Sequence, residues 1–367
     1  VPRLDYSAGG CPVLLTEIES QNLITYSEDF SQWGNARTTD TANQAISPDG
    51  ANNAGFFEQQ SGQTDSGSIF LSSLSLSSGT YTQSIFAKKK DKNFIVCYSA
   101  NAERTYFNLS NGTIGTVAAG NTAKIEDYGN GWFRCAITYT ITTGSVIAFY
   151  LADTDNSTTV TDSGGVYIWG AQLEVQPTAT SYIKSNSGSA TTREADLVNG
   201  AGSAATFNSL EHTFFVDLNS MFQSGTTSAI SIVGSTGTVS SNRIMILKQA
   251  NNTDVTFQIK SGGATAATET LSNIDSSVRQ KLVITVKLNE VKYYRNGFLF
   301  ATDTGTIPLP VSLGEITLTS GTTGSPLAAS TKDIRYYNQV LTAAETLELM
   351  SYDSFNEMAS ALQYTIK

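Results

Sequence analysis

The stretch Val166–Glu174 constrains the fold more than any other part of the chain. Its residues alternate in two sets, as in a β-strand: Val166, Ile168, Gly170 and Gln172 point to one face, and Tyr167, Trp169, Ala171 and Leu173 to the other. Pro177 and a run rich in Ser, Thr, Asn and Gly follow it, which is typical of a linker. The pattern predicts the last strand of one β-domain and a second module after it.

The composition supports two β-domains. The 367 residues exceed one ordinary domain, and the chain is only 15% charged, with 30 Gly and 7 Pro. With 17 Phe and 16 Tyr it is too aromatic for a disordered chain. We therefore expect many short strands joined by turns.

The charge excludes some partners. A net charge of -10 argues against nucleic acid, because nothing here would neutralise a row of phosphates. An acidic surface rich in hydroxyl groups suits neutral polymers such as glycans. No apolar run is long enough to span a bilayer, so we expect no membrane insertion. The chain begins Val-Pro-Arg without an initiator Met, so we expect a fragment or a processed product.

Strand and turn signals predict an all-β fold of two antiparallel β-sandwiches with a short C-terminal helix. In the second module, Asn296-Gly297 suits the type I′ turn of a hairpin, and Thr342 with Glu345 forms a capping box that begins the helix. Tyr293 and Tyr294 are neighbours in a strand, as are Tyr336 and Tyr337, so one residue of each pair should be buried.

Several motifs resemble virion proteins of tailed bacteriophages, whose modules include jelly rolls similar to carbohydrate-binding domains. These motifs are Pro2–Ser7, Cys11–Glu17, Asn22–Phe30, Leu109–Thr116 and Gly129–Cys135. The Asn-Gly hairpin followed by Ile334–Glu345 resembles the end of laminin-G-like, concanavalin-type sandwiches. The resemblance implies a lead-in over 1–21, a jelly roll over 22–184, a linker over 185–195, a laminin-G-like sandwich over 196–351 and a tail over 352–367.

Catalytic chemistry has no good candidate in the sequence. His212 is the single histidine, and we expect it to be structural or solvent-facing at the start of a strand. Glu211 and Asp217 are too far apart to form the paired carboxylates of a glycosidase strand. We therefore predict that the chain is not an enzyme.

Glycans are recognised by aromatic faces that stack on sugar rings, with polar groups beside them. Our candidates for ligand binding are Trp33, Tyr98 and Tyr106, whereas Trp132 and Trp169 belong more naturally to the core. The only basic run, Lys88–Lys92, is expected to be a solvated hairpin tip, with contact to an anionic surface polymer as the alternative.

A calcium ion is the one candidate cofactor. The acidic turn Asp153, Asp155 and Asp162 offers oxygen ligands, with a solvated turn as the alternative. The resemblance also implies early acids, here Glu28 and Asp29, but the last strand has Trp169-Gly170 where the family would have an acidic pair.

Three cysteines cannot all pair. We expect buried free thiols, with a Cys97–Cys135 bridge left open and Cys11 in the lead-in.

The resemblance implies a non-enzymatic virion protein that adheres to host-surface glycans, contacts other virion proteins and forms an oligomer, with a trimer favoured. Its location would be the surface of the virion. Two alternatives stay open. One is a purely structural virion component, and the other is a secreted bacterial adhesin or the binding part of a polysaccharide-degrading enzyme.

Overall fold

The computed structural model describes residues 3–6, 12–72, 74–161, 163–221, 225–234, 241–321 and 324–362. The chain divides into two compact units. We call Glu19–Glu194 the first sandwich, and Val1–Ile18 together with Ala195–Lys367 the second sandwich. Every strand pairing among the described residues is antiparallel, which confirms the predicted all-β class.

Strands are numbered in chain order. The first two, β1 (Arg3–Asp5) and β2 (Val13–Thr16), belong to the second sandwich. The first sandwich contains β3 (Ser20–Asn22), β4 (Gly34–Ala36), β5 (Thr38–Ala45), β6 (Ala54–Gln59), β7 (Ser68–Leu71), β8 (Gly79–Lys89), β9 (Phe94–Tyr98), β10 (Arg104–Asn108), β11 (Thr113–Ile114), β12 (Thr122–Asp127), β13 (Trp132–Ile141), β14 (Ile147–Ala152), β15 (Gly164–Glu174) and β16 (Thr191–Arg193). A 3-10 turn, Phe30–Gln32, follows its cap Asp29.

Two six-stranded sheets form the first sandwich. The front sheet has the order β11-β10-β9-β14-β7-β4, and the back sheet has the order β12-β13-β8-β15-β6-β5. Their inner sides share one apolar core, to which the front sheet gives Ile95, Phe107 and Phe149 and the back sheet gives Ile85 and Ile137. A separate pair, β3 with β16, joins the two ends of this unit.

The predicted strand Val166–Glu174 is present as part of β15, but its alternation changes at Gly170. A β-bulge lies between Trp169 and Gln172, and Gly170 has a φ of 62° there. This left-handed conformation suits glycine, and the extra residue reverses which side chains face inward. Ala171 and Leu173 therefore join the core, whereas Gln172 lies on the outer side, opposite to the prediction for that half of the strand.

The second sandwich adds twelve described elements after residue 195. They are β17 (Glu211–Met221), β18 (Ser228–Gly234), β19 (Arg243–Lys248), β20 (Val255–Ser261), β21 (Ala264–Leu271), β22 (Gln280–Lys287), β23 (Glu290–Arg295), β24 (Phe298–Asp303), β25 (Leu313–Thr317), β26 (Ala329–Tyr337), α1 (Ala343–Ser351) and α2 (Phe355–Ala361). A seven-stranded sheet, β1-β2-β26-β17-β22-β23-β24, faces a five-stranded sheet, β21-β20-β19-β18-β25, across a second apolar core.

The N-terminal segment does not behave as a separate lead-in. β2 pairs with β26, with Leu15 opposite Ser330, and β1 pairs with β2. Arg3 binds both Glu17 and Asp196 through its guanidinium group. β1 and β2 thus extend a sheet of the second sandwich, because a strand with free backbone groups can pair with an edge that is distant in sequence.

Local signals in the second sandwich are confirmed. Asn296 and Gly297 have φ values of 46° and 87° between β23 and β24, as a type I′ turn requires. Thr342 caps α1 in a complete capping box with Glu345. Within the described residues, no helix has the length and apolar character needed to cross a membrane.

The two helices cover the outer side of the seven-stranded sheet. Leu349 and Met350 of α1 and Met358 of α2 pack on Phe215 and Tyr294. Lys281 donates hydrogen bonds to the carbonyl groups of Met350 and Tyr352, at 2.8 and 2.6 Å, and so holds the end of α1.

The expectation that one tyrosine of each pair is buried was wrong for the first pair. Tyr293 and Tyr294 are both buried, each with 1% exposure. Tyr293 faces the core, and Tyr294 lies among the side chains of the helices. Tyr336 and Tyr337 are both half-buried.

Candidate binding surface

The outer side of the front sheet carries a group of aromatic side chains. Strand register places Arg104, Tyr98, Ala148, Phe70 and Gly34 side by side across β10, β9, β14, β7 and β4. The inner neighbours of these residues, such as Cys97 and Phe149, lie in the core. The alternation of each strand therefore fixes which residues face outward.

Tyr150 stands in the next row and completes the group. Its ring centroid lies 5.4 Å from that of Tyr98, with 56° between the ring planes. The guanidinium carbon of Arg104 lies 4.5 Å from the centroid of Tyr150 and 5.6 Å from that of Tyr98. Such distances are those of cation–π contacts. We call Phe70, Tyr98, Arg104 and Tyr150, all of them half-buried, the open face.

Small residues leave room between the rings of the open face. Ala148 lies between Tyr98 and Phe70 in the row and is 2% exposed. A Cβ atom on Gly34 would stand 2.5 Å from the ring of Phe70, so that ring lies over the glycine backbone. The hydroxyl groups of Tyr98 and Tyr150 have no hydrogen-bond partner among the described residues. They are polar groups beside partly exposed rings.

Of the sequence-predicted binding residues, only Tyr98 belongs to the open face. Tyr106 has the same outward direction but is 2% exposed. Its hydroxyl group donates to the carbonyl of Ser157 at 3.4 Å, and a Cβ on Gly115 would stand 3.2 Å from its own Cβ. Burial raises the pKa of Tyr106. The two loops that contain Ser157 and Gly115 therefore cover this end of the sheet.

The structure places Trp33 in the core rather than on a surface. It is 4% exposed, its indole nitrogen donates to the carbonyl of Tyr26 at 2.9 Å, and its ring packs near Phe30 and Phe149. A ring enclosed in this way has no face for a sugar. The polar residues around Trp33 in the sequence suggested a loop surface, but the 3-10 turn after Asp29 directs the ring inward.

Arg104, Tyr150 and Phe70 were missed in the sequence. Their proximity depends on the pairing of β9 with β10 and β14 and of β14 with β7, which residue spacing does not reveal. One signal was present: Arg104 is the single Lys or Arg between residues 93 and 123.

The proposed calcium ligands have separate partners. Asp153 binds the Lys92 ammonium group and accepts from Thr161, and Asp155 accepts from the backbone and hydroxyl groups of Thr116 at 2.8 and 2.9 Å. Asp162 lies outside the described residues. Among the residues that the structure does describe, no three His, Cys, Asp or Glu side chains are grouped to hold a metal ion.

The early acids also have other partners. Glu28 accepts from Tyr182 at 3.0 Å and from Lys184 at 2.7 Å, and Asp29 caps the 3-10 turn. The carboxylate oxygens that the resemblance would assign to calcium are thus engaged by groups of the chain itself.

The contacts of His212 and Asp217 indicate structural roles for both residues. His212 is fully buried, its Nδ1 lies 2.9 Å from the carbonyl oxygen of Asn208, and its ring stacks on Tyr336. Burial lowers the pKa of His212 to about 4, so it is neutral at pH 7. Asp217 forms a bidentate ion pair with Arg279, at 2.8 and 2.6 Å.

Cys97 and Cys135 are free and buried, which agrees with the expectation of buried thiols rather than a bridge. Burial raises the pKa of each thiol. Cys11 lies outside the described residues.

No protein-family model matches the chain, and no curated protein matches it. Several solved structures are similar in part. The CBM40 of a Ruminococcus gnavus IT-sialidase, bound to alpha2,3 sialyllactose, has 17% identity and a TM-score of 0.34, over 42% of this chain and 96% of its own. Domains LG4-5 of the mouse laminin alpha1 chain have 11% identity and a TM-score of 0.27, over 83% and 94%.

Sheep galectin-11 has 11% identity and a TM-score of 0.26, over 38% of this chain and 96% of its own. These low TM-scores carry no argument about a ligand or an activity. The assignment of the fold rests on the strands, pairings and cores described above.

Proposed function

We propose that the chain is a non-enzymatic glycan-binding protein and that the open face is its binding surface. The observation that carries the proposal is the cluster of half-buried Tyr98, Tyr150 and Arg104 on the outer side of a sheet. Aromatic rings stack on the apolar side of a sugar, and free phenol hydroxyl groups and a guanidinium group can bind its hydroxyl groups.

The expected affinity of one such surface is low. Three rings and one cation on a nearly flat sheet enclose little of a ligand, whereas tight small-molecule sites are concave. Several copies acting together would compensate, because linked weak sites bind with higher avidity. The proposal therefore includes an oligomer, with a trimer favoured. The measurement is the mass of the purified protein by light scattering, and a monomeric mass at all concentrations would contradict this part.

The biological setting that we propose is the surface of a tailed-phage virion. Its support is the sequence resemblance of Pro2–Ser7, Asn22–Phe30 and Gly129–Cys135 to virion modules. In that setting the protein would attach the particle to glycans of the host surface and would contact other virion proteins. Electron microscopy of particles labelled with an antibody to the chain tests this location.

The test of function is a glycan array probed with the protein in multivalent form. The double variant Tyr98→Ala/Tyr150→Ala should lose at least about tenfold in affinity for any glycan that the wild type binds, since each stacked ring contributes about 1 kcal/mol or more. Phe298→Ala is the matched control, because Phe298 is 73% exposed on β24 of the other unit. Equal binding by all three proteins would place the site elsewhere.

The second candidate function is a purely structural role in a particle. The observation that favours it is the apolar edge strand β24, on which Phe298 and Leu299 are 73% and 47% exposed. Exposed apolar side chains on a sheet edge are typical of contacts between proteins. Absence of binding to every glycan of the array, with the protein multivalent, would favour this role.

A further inference from the structure

Arg104 differs from the other cations that lie over aromatic rings. Among the described residues, these cations are Lys90, Arg104, Arg134 and Arg335. The other three have polar partners of the chain itself: Asp91 at 3.9 Å for Lys90, the carbonyl of Thr180 at 2.7 Å for Arg134, and Asp333 at 2.7 Å for Arg335. The side chain of Arg104 has neither an ion pair nor a hydrogen bond within the part of the chain that the structure describes.

This isolation is unusual for the composition. The chain has 32 Asp and Glu against 22 Lys and Arg, so carboxylates are in excess. The Nε atom of Arg104 is shielded from solvent without an acceptor. A buried donor without an acceptor costs free energy, and a guanidinium group held only by two rings keeps its capacity to bind an anion.

The position of the guanidinium group suits a ligand that rests on the rings. Arg104 stands beside Tyr98 in the same row, and its guanidinium carbon is 4.5 Å from the Tyr150 centroid. The carboxylate of Asp155, whose charge acts on Tyr106 as that of Arg104 does, is engaged by Thr116. A sugar that stacks on Tyr98 and Tyr150 would carry its ring substituents next to the Arg104 donors.

We propose that the open face is selective for acidic glycans, with an oxyanion of the ligand bound by Arg104 while its sugar ring stacks on Tyr98 and Tyr150. This inference rests on the proposed function. The planar guanidinium fork binds a carboxylate with two parallel hydrogen bonds, and it also binds sulfate. Both substituents share the chemistry that the site recognises. Neutral glycans would bind without this charge-assisted contact.

The experiment compares ligands that differ only in charge. Binding is measured by calorimetry for oligogalacturonate and its methyl ester, and for dextran sulfate and dextran, at one ionic strength. The wild type should bind the acidic member of a pair at least about tenfold more tightly, which is the effect of one charge-assisted hydrogen-bonded contact. The carboxylate and sulfate pairs distinguish the two sources of the anion.

Three variants assign the preference to a residue. Arg104→Gln should reduce the affinity ratio to about one, because the acidic member loses more affinity than the neutral member does. Arg104→Lys should keep part of the preference, because a lysine is a point charge without the fork. Lys90→Gln, at the basic run, is the control and should keep the full ratio. Thermal unfolding confirms that each variant is folded.

The outcomes separate this inference from the proposed function. Equal affinity of the wild type for both members of each pair would overturn the selectivity and leave glycan binding intact. A ratio that survives in Arg104→Gln, or that is lost in Lys90→Gln, would also overturn it. Binding of none of the four probes would contradict the inference, and the glycan array then decides on the proposed function by itself.

Discussion

The two outer sides of the first sandwich contain the same pair of residue types in different states. On the back sheet, Arg134 lies 5.3 Å from the centroid of Phe86 and is 2% exposed. On the front sheet, Arg104 lies over Tyr150 and is half-buried. An arginine over an aromatic ring is therefore no sign of a site by itself. The difference is whether other parts of the chain cover it.

The segment after β15 covers the back sheet. Tyr182 packs on Trp169 and Phe86, at 4.6 and 5.9 Å between centroids. The carbonyl of Thr180 accepts from Arg134, and the backbone and hydroxyl groups of Thr180 donate to the buried carboxylate of Glu174. We call Phe86, Arg134, Trp169 and Tyr182 the covered face. Both Nη atoms of Arg134 donate to groups of the chain, although its Nε and the Trp169 Nε1 have no acceptor. The Arg104 side chain has no such partner among the described residues, and this contrast carries the proposed site.

The largest expected effect is the difference in lost stability between truncating a buried aromatic residue, Trp33, and truncating a partly exposed one, Tyr98. Trp33→Ala should lower the free energy of unfolding of the first sandwich by about 3–5 kcal/mol, because it leaves a cavity in the core and an unpaired Tyr26 carbonyl. Tyr98→Ala should cost about 1 kcal/mol or less, because its ring is half-exposed. Urea unfolding measures both. Similar losses would mean that Tyr98 is a core residue and would remove it from the site.

The second effect compares the two arginines directly. Arg134→Ala should cost about 3 kcal/mol, since it removes hydrogen bonds to Thr180 and Ser84 and leaves buried acceptors without a donor. Arg104→Ala should change stability by less than about 1 kcal/mol. If the two variants are equally destabilised in urea, then the open face is an enclosed structural cluster like the covered one.

The third prediction concerns the partly buried carboxyl group of Asp40 and its effect on stability. Burial, and secondly the charge of Asp29, raise the pKa of Asp40 from 3.8 to about 6, and its Oδ1 atom has no hydrogen bond in the described structure. The ionised form is therefore unfavourable in the native state. Unlike the change at Arg134, Asp40→Asn should stabilise the protein at pH 7.5, by about 1 kcal/mol once partial exposure is discounted.

The sign of the pH dependence follows from the direction of this shift. Because the native state binds the Asp40 proton more tightly than the unfolded state does, the wild type gains stability relative to Asp40→Asn as the pH falls through about 6. The difference in melting temperature should disappear below about pH 4, where both states are protonated. A constant difference over pH 4–8 would show that the carboxyl group titrates normally.

Local patterns predicted much of the fold. The Asn296-Gly297 turn and the capping box of Thr342 with Glu345 were read from a few adjacent residues, because backbone conformation there depends on near neighbours. What failed depends on contacts between distant segments. The burial of Tyr294 requires the two helices, and the pairing of β2 with β26 joins residues about 315 positions apart.

The candidate site was predictable only in part, for the same reason. Tyr98 was selected because an aromatic residue in a short strand is visible in the sequence, but Trp33 has the same visibility and is buried. The partners of Tyr98, which are Tyr150 and Arg104, come from two other strands, and only the sheet order brings the three residues together. Whether a loop then covers the face, as at Tyr106, is a tertiary property.

The smallest effect concerns the basic run at the tip between β8 and β9. The Lys90 ammonium group lies 3.6 Å from the centroid of Phe56 and 3.9 Å from Asp91, with its side chain 39% exposed. A cation–π contact at such a site contributes about 0.5–1 kcal/mol, so Lys90→Ala should cost no more than that in urea unfolding. Its affinity for oligogalacturonate should equal that of the wild type. A variant that keeps its stability but binds the acidic ligand more weakly would move the anion contact from Arg104 to this tip, because only a direct role in binding would separate the two measurements.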